Sequence, residues 1–305
     1  MVARAARAAL FLLGCLLGAC GFAQPLTVVT STTDLKSLVE IVSGDRVAVA
    51  SIVPAGSNAE EYQPRPGDLG RLKDARLVVR VGADYDLWLD ALLRQAGNPA
   101  LVRGGPGYVD ASFGIALLEV RGAAVGAQGG HAHGSGNPHY WLDPANAEII
   151  TGFVLEALAR VDPPSAKYYE ARRLAFLERL AAKLPEWAAA LAPVQGRPML
   201  AYHNSWAYLA RRFRLNVAGT IEPRAGVPPS AAHLAALLRK MSDEKIEVIV
   251  RQPFEPEKTP AFLAAKSGAR VVVLAASVGV VPQASDYLAL FDYDVKQLAA
   301  AWPTR

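Results

Sequence analysis

Residues 163–180 read Pro-Pro-Ser-Ala-Lys-Tyr-Tyr-Glu-Ala-Arg-Arg-Leu-Ala-Phe-Leu-Glu-Arg-Leu, and this stretch decides the fold. Pro163 and Pro164 open it, and proline is tolerated where a helix begins because the first-turn N–H groups have no intrahelical partner. Tyr168, Tyr169, Ala171, Leu174, Leu177 and Leu180 then recur at a helical, one-sided spacing. Pro185 is expected to kink or restart the helix, since it cannot donate to the preceding turn. The helical pattern resumes to about Leu191.

On either side of this stretch the pattern changes to alternation. Towards the N-terminus, strands are predicted at 26–30, 47–53 and 76–81, with helices at 35–42, 68–74, 85–95 and 145–161. Towards the C-terminus, strands are predicted at 199–202, 217–221, 247–251 and 271–274, with helices at 206–212, 230–241, 260–267 and 287–301. Strands alternating with helices imply parallel α/β sheets. The expected architecture is therefore two parallel-sheet α/β lobes joined by one long helix. Its expected divisions are a signal peptide (1–23), an N-terminal lobe (24–162), the bridging helix (163–193) and a C-terminal lobe (194–305).

The first residues look like a targeting segment. Arg4 and Arg7 precede an apolar run from Ala8 to Leu17, and small residues continue to Ala23. A charged start, a short apolar run and a small-residue zone make a secretory signal peptide, too short to be a permanent span. Two processing points compete. Leu17-Gly18-Ala19-Cys20 resembles a lipobox and would leave Cys20 lipid-anchored, whereas cleavage after Gly21-Phe22-Ala23 would release a soluble periplasmic protein. Both cysteines, Cys15 and Cys20, fall in this region. Any metal site in the mature chain must then use His, Asp and Glu.

The 305 residues carry a formal net charge of +4. The tightest basic group, Arg211, Arg212 and Arg214, is interrupted by Phe213 and is too sparse for a nucleic-acid surface. Three of the five histidines, His131, His133 and His139, sit in a short Gly-rich stretch that ends Asn-Pro-His-Tyr-Trp-Leu-Asp-Pro at 137–144. Histidine is the commonest side-chain ligand for transition metals, and a Gly-rich loop has no packing reason to collect it.

In parallel α/β sheets, ligands bind beyond the carboxyl ends of the strands. Glu60 and Glu61 follow the second predicted strand, and His139 follows the His/Gly loop. His203 follows the strand at 199–202, and Asp286 the strand at 271–274 through a loop. Two contributions from each half put the expected site in the cleft between lobes. Asp286 also precedes a helical run, where Asp is a favoured cap. His233 lies in a helical pattern and reads as structural. Glu222, Arg224 and Gln252 are positioned to orient the imidazoles.

These segments together resemble the zinc/manganese class of metal-binding solute receptors of ABC importers, the cluster A-I periplasmic proteins. Residues 56–68, Gly-Ser-Asn-Ala-Glu-Glu-Tyr-Gln-Pro-Arg-Pro-Gly-Asp, resemble that family's Gly-x-Asp-Pro-His-x-Tyr-x-Pro-x-Pro-x-Asp. Residues 138–144 match its Pro-His-x-Trp-Leu-Asp-Pro, and 203–210 resemble its His-x-aromatic-x-Tyr-Leu-Ala segment. Asp286-Tyr287 ahead of 290–294 resembles its closing acidic turn and helix. The resemblance implies two lobes on a rigid backbone helix, with one divalent cation held by Glu60, His139, His203 and Asp286. It also implies a monomer that delivers the metal to an inner-membrane permease and its ATPase.

The chain departs from the family where Glu60 stands in place of the first histidine, with Glu61 competing one residue out of register. Two nitrogens and two carboxylates shift preference towards harder ions, yet zinc accepts N/O tetrahedra readily. Zn²⁺ is expected first and Mn²⁺ next. An enzyme is not expected, because neither His-Glu-x-x-His nor Gly-x-Ser-x-Gly is present. The competing classes are a metal-dependent hydrolase and a surface adhesin without bound metal.

Overall fold

Among the described residues, 26–120 and 135–302, the computed structural model forms two four-stranded sheets, each parallel throughout. The expected signal peptide with Cys20, and His131 and His133, lie outside the described residues. The first sheet contains β1 (Leu26–Thr30), β2 (Val47–Ser51), β3 (Leu77–Arg80) and β4 (Tyr108–Asp110), in the order β2-β1-β3-β4. The second contains β5 (Pro198–Ala201), β6 (Asn216–Thr220), β7 (Val248–Arg251) and β8 (Arg270–Val273), in the same order, β6-β5-β7-β8. In each sheet the order reverses beside the first strand, which opens a crevice beyond the strands' carboxyl ends.

The strands are apolar runs because helices cover both faces of the sheets. Every residue of β3 and of β7 is buried. Alternation still decides which core each side chain joins, since successive residues point to opposite faces. Met199, Ala201, Val248 and Val250 belong to the large core shared with the first lobe. Leu200 and Ile249 point into a smaller cluster with Leu237, Met241 and Leu263.

The helices are α1 (Thr33–Ser43), α2 (Pro66–Lys73), α3 (Trp88–Ala96), α4 (Asn146–Val161), α5 (Ala166–Leu191), α6 (Ala207–Phe213), α7 (Ala231–Asp243), α8 (Lys258–Ser267) and α9 (Tyr287–Ala299). The bridge is α5, 26 residues long and continuous through Pro185, so the expected restart does not occur. Its buried residues are Tyr169, Phe176, Leu180, Trp187 and Leu191. At about 100° per residue these five share one stripe, whereas Leu174 lies about 140° around from Tyr169. That explains why Leu174 is 52% exposed although the sequence pattern counted it in the apolar face.

The final helix returns to this bridge. Trp187 and Phe291 have ring centroids 5.3 Å apart, and Phe176 and Tyr287 6.5 Å apart. Tyr287 also donates its backbone N–H to Ser37 Oγ in α1 at 3.0 Å. The bridging helix is therefore packed against α1, α4 and α9.

Two local departures from the predicted elements have clear causes. β4 spans three residues, too few to show any periodicity. The helix expected from Tyr85 begins at Trp88, because Gly82, Ala83 and Asp84 all have positive φ and turn the chain first. Asp86 fastens this turn by accepting from Val81 N at 2.8 Å and Gly82 N at 3.1 Å. Buried Arg80 pairs with the same carboxylate at 2.8 Å. Gly82 has no substitute here, since a Cβ would fall 2.0 Å from Asp110 Oδ1.

Candidate metal centre

Glu60 stands on the loop after β2, and that loop is tied down residue by residue. Asn58 Oδ1 accepts from Glu60 N at 3.1 Å, and Ala59 O accepts from Trp88 Nε1 at 2.9 Å. Tyr62 donates its hydroxyl to Asp68 Oδ2 at 2.9 Å, and Arg65 N donates to the same oxygen at 2.7 Å. The Tyr-x-Pro-x-Pro-x-Asp pattern is thus a fastener between the loop and the start of α2, where an acidic residue is favoured.

His139 precedes a single helical turn, Tyr140–Leu142, wedged between the lobes. Tyr140 donates to Val81 O at 2.7 Å in the first lobe. Trp141 donates Nε1 to Ala276 O at 2.9 Å in the second. Tyr85 and Trp141 pack around the imidazole, with centroids 5.5 and 5.3 Å away. Asn137 Oδ1 accepts from the His139 backbone at 3.0 Å and faces its Nδ1 at 3.1 Å.

His203 lies two residues beyond the end of β5. Its Nδ1 lies 2.6 Å from Glu222 Oε2, and Glu222 Oε1 accepts from Gly226 N at 2.8 Å. In both histidines Nδ1 meets an acceptor, which fixes it as the N–H and turns Nε2 inward as the ligating nitrogen.

The three side chains meet across the cleft. Glu60 Oε1 is 3.1 Å from His139 Nε2 and 3.4 Å from His203 Nε2. One ligand atom from each of the three lies within 4.8 Å of the others. Bonds of about 2.0–2.1 Å to a tetrahedral ion place neighbouring ligand atoms about 3.4 Å apart, so the two Glu60–imidazole separations fit such an ion. Of the two adjacent acidic residues, Glu60 is the one the fold brings to the imidazoles. Glu61 is exposed at the cavity edge.

The charges of the group are interdependent. Burial alone would raise the Glu60 carboxyl, but hydrogen bonds from His139 and His203 outweigh it and hold it well below the usual carboxylate range. Burial alone would lower His203, but Glu222 and Glu60 outweigh it and raise the imidazole to about 10. The cluster therefore holds a positive charge between two carboxylates, a role a divalent cation fills with more charge and stricter geometry.

Asp286 does not join these three. Its side chain caps α9, accepting from Leu288 N and Ala289 N at 2.9 Å. It lines a different hollow, with Arg179, Lys183 and Asp292. The loop after β8 brings Ala276 and Ser277 to the cleft.

The cleft cavity has a volume of about 310 Å³, and its C-terminal wall includes Glu222, Gln252, Phe254 and Glu255. Glu222 and Gln252 are where sequence reasoning put them, at strand ends. Arg224 instead forms a short bridge with Val227. His233 Nε2 meets Thr220 O at 3.1 Å, a structural role. Glu255 was missed. Burial raises its carboxyl to about 7, and it accepts from Gln252 N at 2.6 Å. Its signal was legible, for Gln-Pro-Phe-Glu at 252–255 directly follows β7. Among the described residues, no helix is long and apolar enough to cross a membrane.

Comparison with known proteins supplies relatives of the whole chain. Residues 28–301 match the model of the family described as zinc-uptake complex component A, periplasmic. The iron-binding protein YfeA of Yersinia pestis is 25% identical over 289 residues, which cover 91% of this chain and 86% of that protein. The high-affinity zinc uptake system protein ZnuA of Paracoccus denitrificans is 26% identical, over 71% of this chain and 73% of its own length. Among solved structures, a zinc-bound ZnuA deletion mutant superposes with a TM-score of 0.78 at 26% identity, covering 92% of this chain and 99% of that one. An Mn-bound periplasmic metal-binding protein from Candidatus Liberibacter asiaticus shares the fold, with a TM-score of 0.75 at 21% identity, over 90% of this chain and 98% of that one.

Proposed function

We propose, from the premise that the chain belongs to the periplasmic zinc-uptake component A family, that it is the substrate-binding component of an ABC importer. It captures one divalent transition-metal ion in the inter-lobe cleft and delivers it to a membrane permease and its ATPase. The observation that carries this reading is the convergence of Glu60 Oε1, His139 Nε2 and His203 Nε2 from loops of both lobes.

Both imidazoles have their second nitrogen held by an acceptor, as metal-bound histidines generally do. Zinc is the first choice because nitrogen and oxygen ligands in a tetrahedron suit it, and it outranks manganese at a generic site. Manganese follows, favoured by the carboxylate where the family carries a histidine. The packed bridge α5 suits a receptor whose lobes move little, and it supports the division into lobes 24–162 and 194–305 around the helix 163–193. The protein then acts in the periplasm as a monomer, either free or anchored through Cys20.

Native mass spectrometry of the purified protein after metal removal and reconstitution tests the reading. One Zn²⁺ or Mn²⁺ per chain is expected. No stoichiometric divalent metal would sink it.

A further inference from the structure

Glu119 is the residue the metal centre leaves unexplained. It lies on the segment that enters the His/Gly loop, and its backbone has φ +56, in the left-handed region that glycine normally occupies. A side chain is retained there against the backbone preference, and such positions persist when surrounding contacts over-determine them.

Those contacts run to both histidine-bearing segments. Glu119 Oε2 accepts from Asn137 Nδ2 at 3.2 Å and from Asn204 Nδ2 at 2.8 Å. Asn137 is two residues before His139, and Asn204 is one residue after His203. Asn137 Nδ2 also donates to Asn204 O at 3.0 Å. One carboxylate oxygen therefore gathers the first lobe's histidine arm and the second lobe's histidine arm at one point. Tyr208 reinforces the junction, donating to Asn137 O at 2.7 Å and accepting from Leu118 N at 2.9 Å.

The amide of Asn137 transmits a direction. With its NH₂ end engaged by an anion, its Oδ1 must face the other way, towards the backbone and Nδ1 of His139. An acceptor at Nδ1 makes that nitrogen the N–H and leaves Nε2 as the ligand. Rotating the Asn137 amide would present a donor to Nδ1 and favour the wrong tautomer.

The geometry points to Glu119 as a positioning residue of the metal site, fixing the His139 tautomer through Asn137 and joining the two histidine arms through Asn204. It touches no metal ligand itself. This inference rests on the receptor reading above.

The test compares Glu119→Ala and Glu119→Gln with the wild type. Zn²⁺ affinity is measured by competition with a chelator, and ¹⁵N-detected NMR of the zinc-loaded protein shows which His139 nitrogen carries the proton. Glu119→Ala is expected to weaken binding roughly 10- to 100-fold, the scale found for outer-shell partners. It should also lose the slowly exchanging His139 Nδ1 proton. Glu119→Gln keeps an acceptor oxygen and is expected to preserve both. Wild-type affinity in Glu119→Ala overturns the role. So does a loss in Glu119→Gln equal to that in Glu119→Ala, which would assign the effect to charge alone. Wild-type His139 bound through Nδ1 overturns it without any variant. A wild type that takes up no zinc overturns the receptor reading itself, a distinguishable failure.

Discussion

Arg212 in α6 grips Asp143 with two hydrogen bonds, Nε to Oδ1 at 2.6 Å and Nη2 to Oδ2 at 2.9 Å. Asp143 is fully buried and closes the Pro-His-x-Trp-Leu-Asp-Pro segment, and α6 begins four residues after His203. The pair therefore ties the His139 segment to the helix that follows His203. Arg212→Ala leaves a buried carboxylate that keeps only the Ala145 N–H at 3.1 Å and Arg211 at 3.6 Å. Losing one partner of a fully buried pair costs about 3–5 kcal/mol, and the partial exposure of Arg212 reduces this to about 1–3 kcal/mol. Thermal unfolding of the metal-free protein should shift down by several degrees. An unchanged midpoint would show that the pair contributes nothing.

The ligand assignment predicts a pattern among single variants. Glu60→Ala and His203→Ala should each lower Zn²⁺ affinity by roughly an order of magnitude or more, since even outer-shell losses reach that scale. Glu60→His should tilt the Zn²⁺/Mn²⁺ preference further towards zinc by adding a softer nitrogen. Competitive titration of the two metals checks all three. Equal affinity in Glu60→Ala and wild type would remove Glu60 from the site.

Asp286 should behave oppositely. As the cap of α9, its replacement by alanine removes an acceptor for two backbone N–H groups and should cost about 1 kcal/mol of stability. Metal affinity should not change. Reduced affinity in Asp286→Ala at normal stability would return it to the ligand set.

These contrasts show what the sequence could and could not display. The fold was legible because each strand is a short apolar run and the helices keep a 3.6-residue period. β4 was not legible, since three residues carry no period. Glu60, His139 and His203, which the fold brings together, stood out because each follows a strand end or a distinctive motif. Asp286 was ambiguous because a helix cap and a metal ligand call for the same residue at the same place in the chain, and the fold shows the cap. Glu119 was invisible for a different reason. Its role arises from partners 18 and 85 residues away, and no local pattern encodes such contacts.

Glu222 offers a sharper test of the site's internal logic. Its carboxylate spans His203 Nδ1 and Gly226 N, so it orients the imidazole from behind. Glu222→Leu should lower metal affinity by roughly 10- to 100-fold. Glu222→Gln retains an acceptor oxygen and should lose less. If the two variants lose equally, Glu222 acts through its charge and not through the imidazole's orientation.

The final prediction concerns acidity away from the site. Asp34 in α1 is fully buried, and burial raises its carboxyl from 3.8 to about 7 against hydrogen bonds from Val278 and Ser277. Oδ1 accepts from Val278 N at 2.9 Å, while Oδ2 has no partner. Between pH 3.8 and about 7 the folded protein holds a proton that the unfolded chain has released. Stability from this group is therefore complete below the unfolded value and falls as pH rises through the folded one. Asp34→Asn keeps the acceptor for Val278 and removes the charge. The variant should match the wild type near pH 4 and exceed it at pH 8, by at most about 4 kcal/mol. Glu255 and Asp294 are also raised by burial and slope the wild-type curve the same way, so the variant-minus-wild-type difference is the quantity to measure. Thermal midpoints of the metal-free proteins from pH 4 to 8 give it. A difference that stays constant across that range would mean Asp34 does not titrate there.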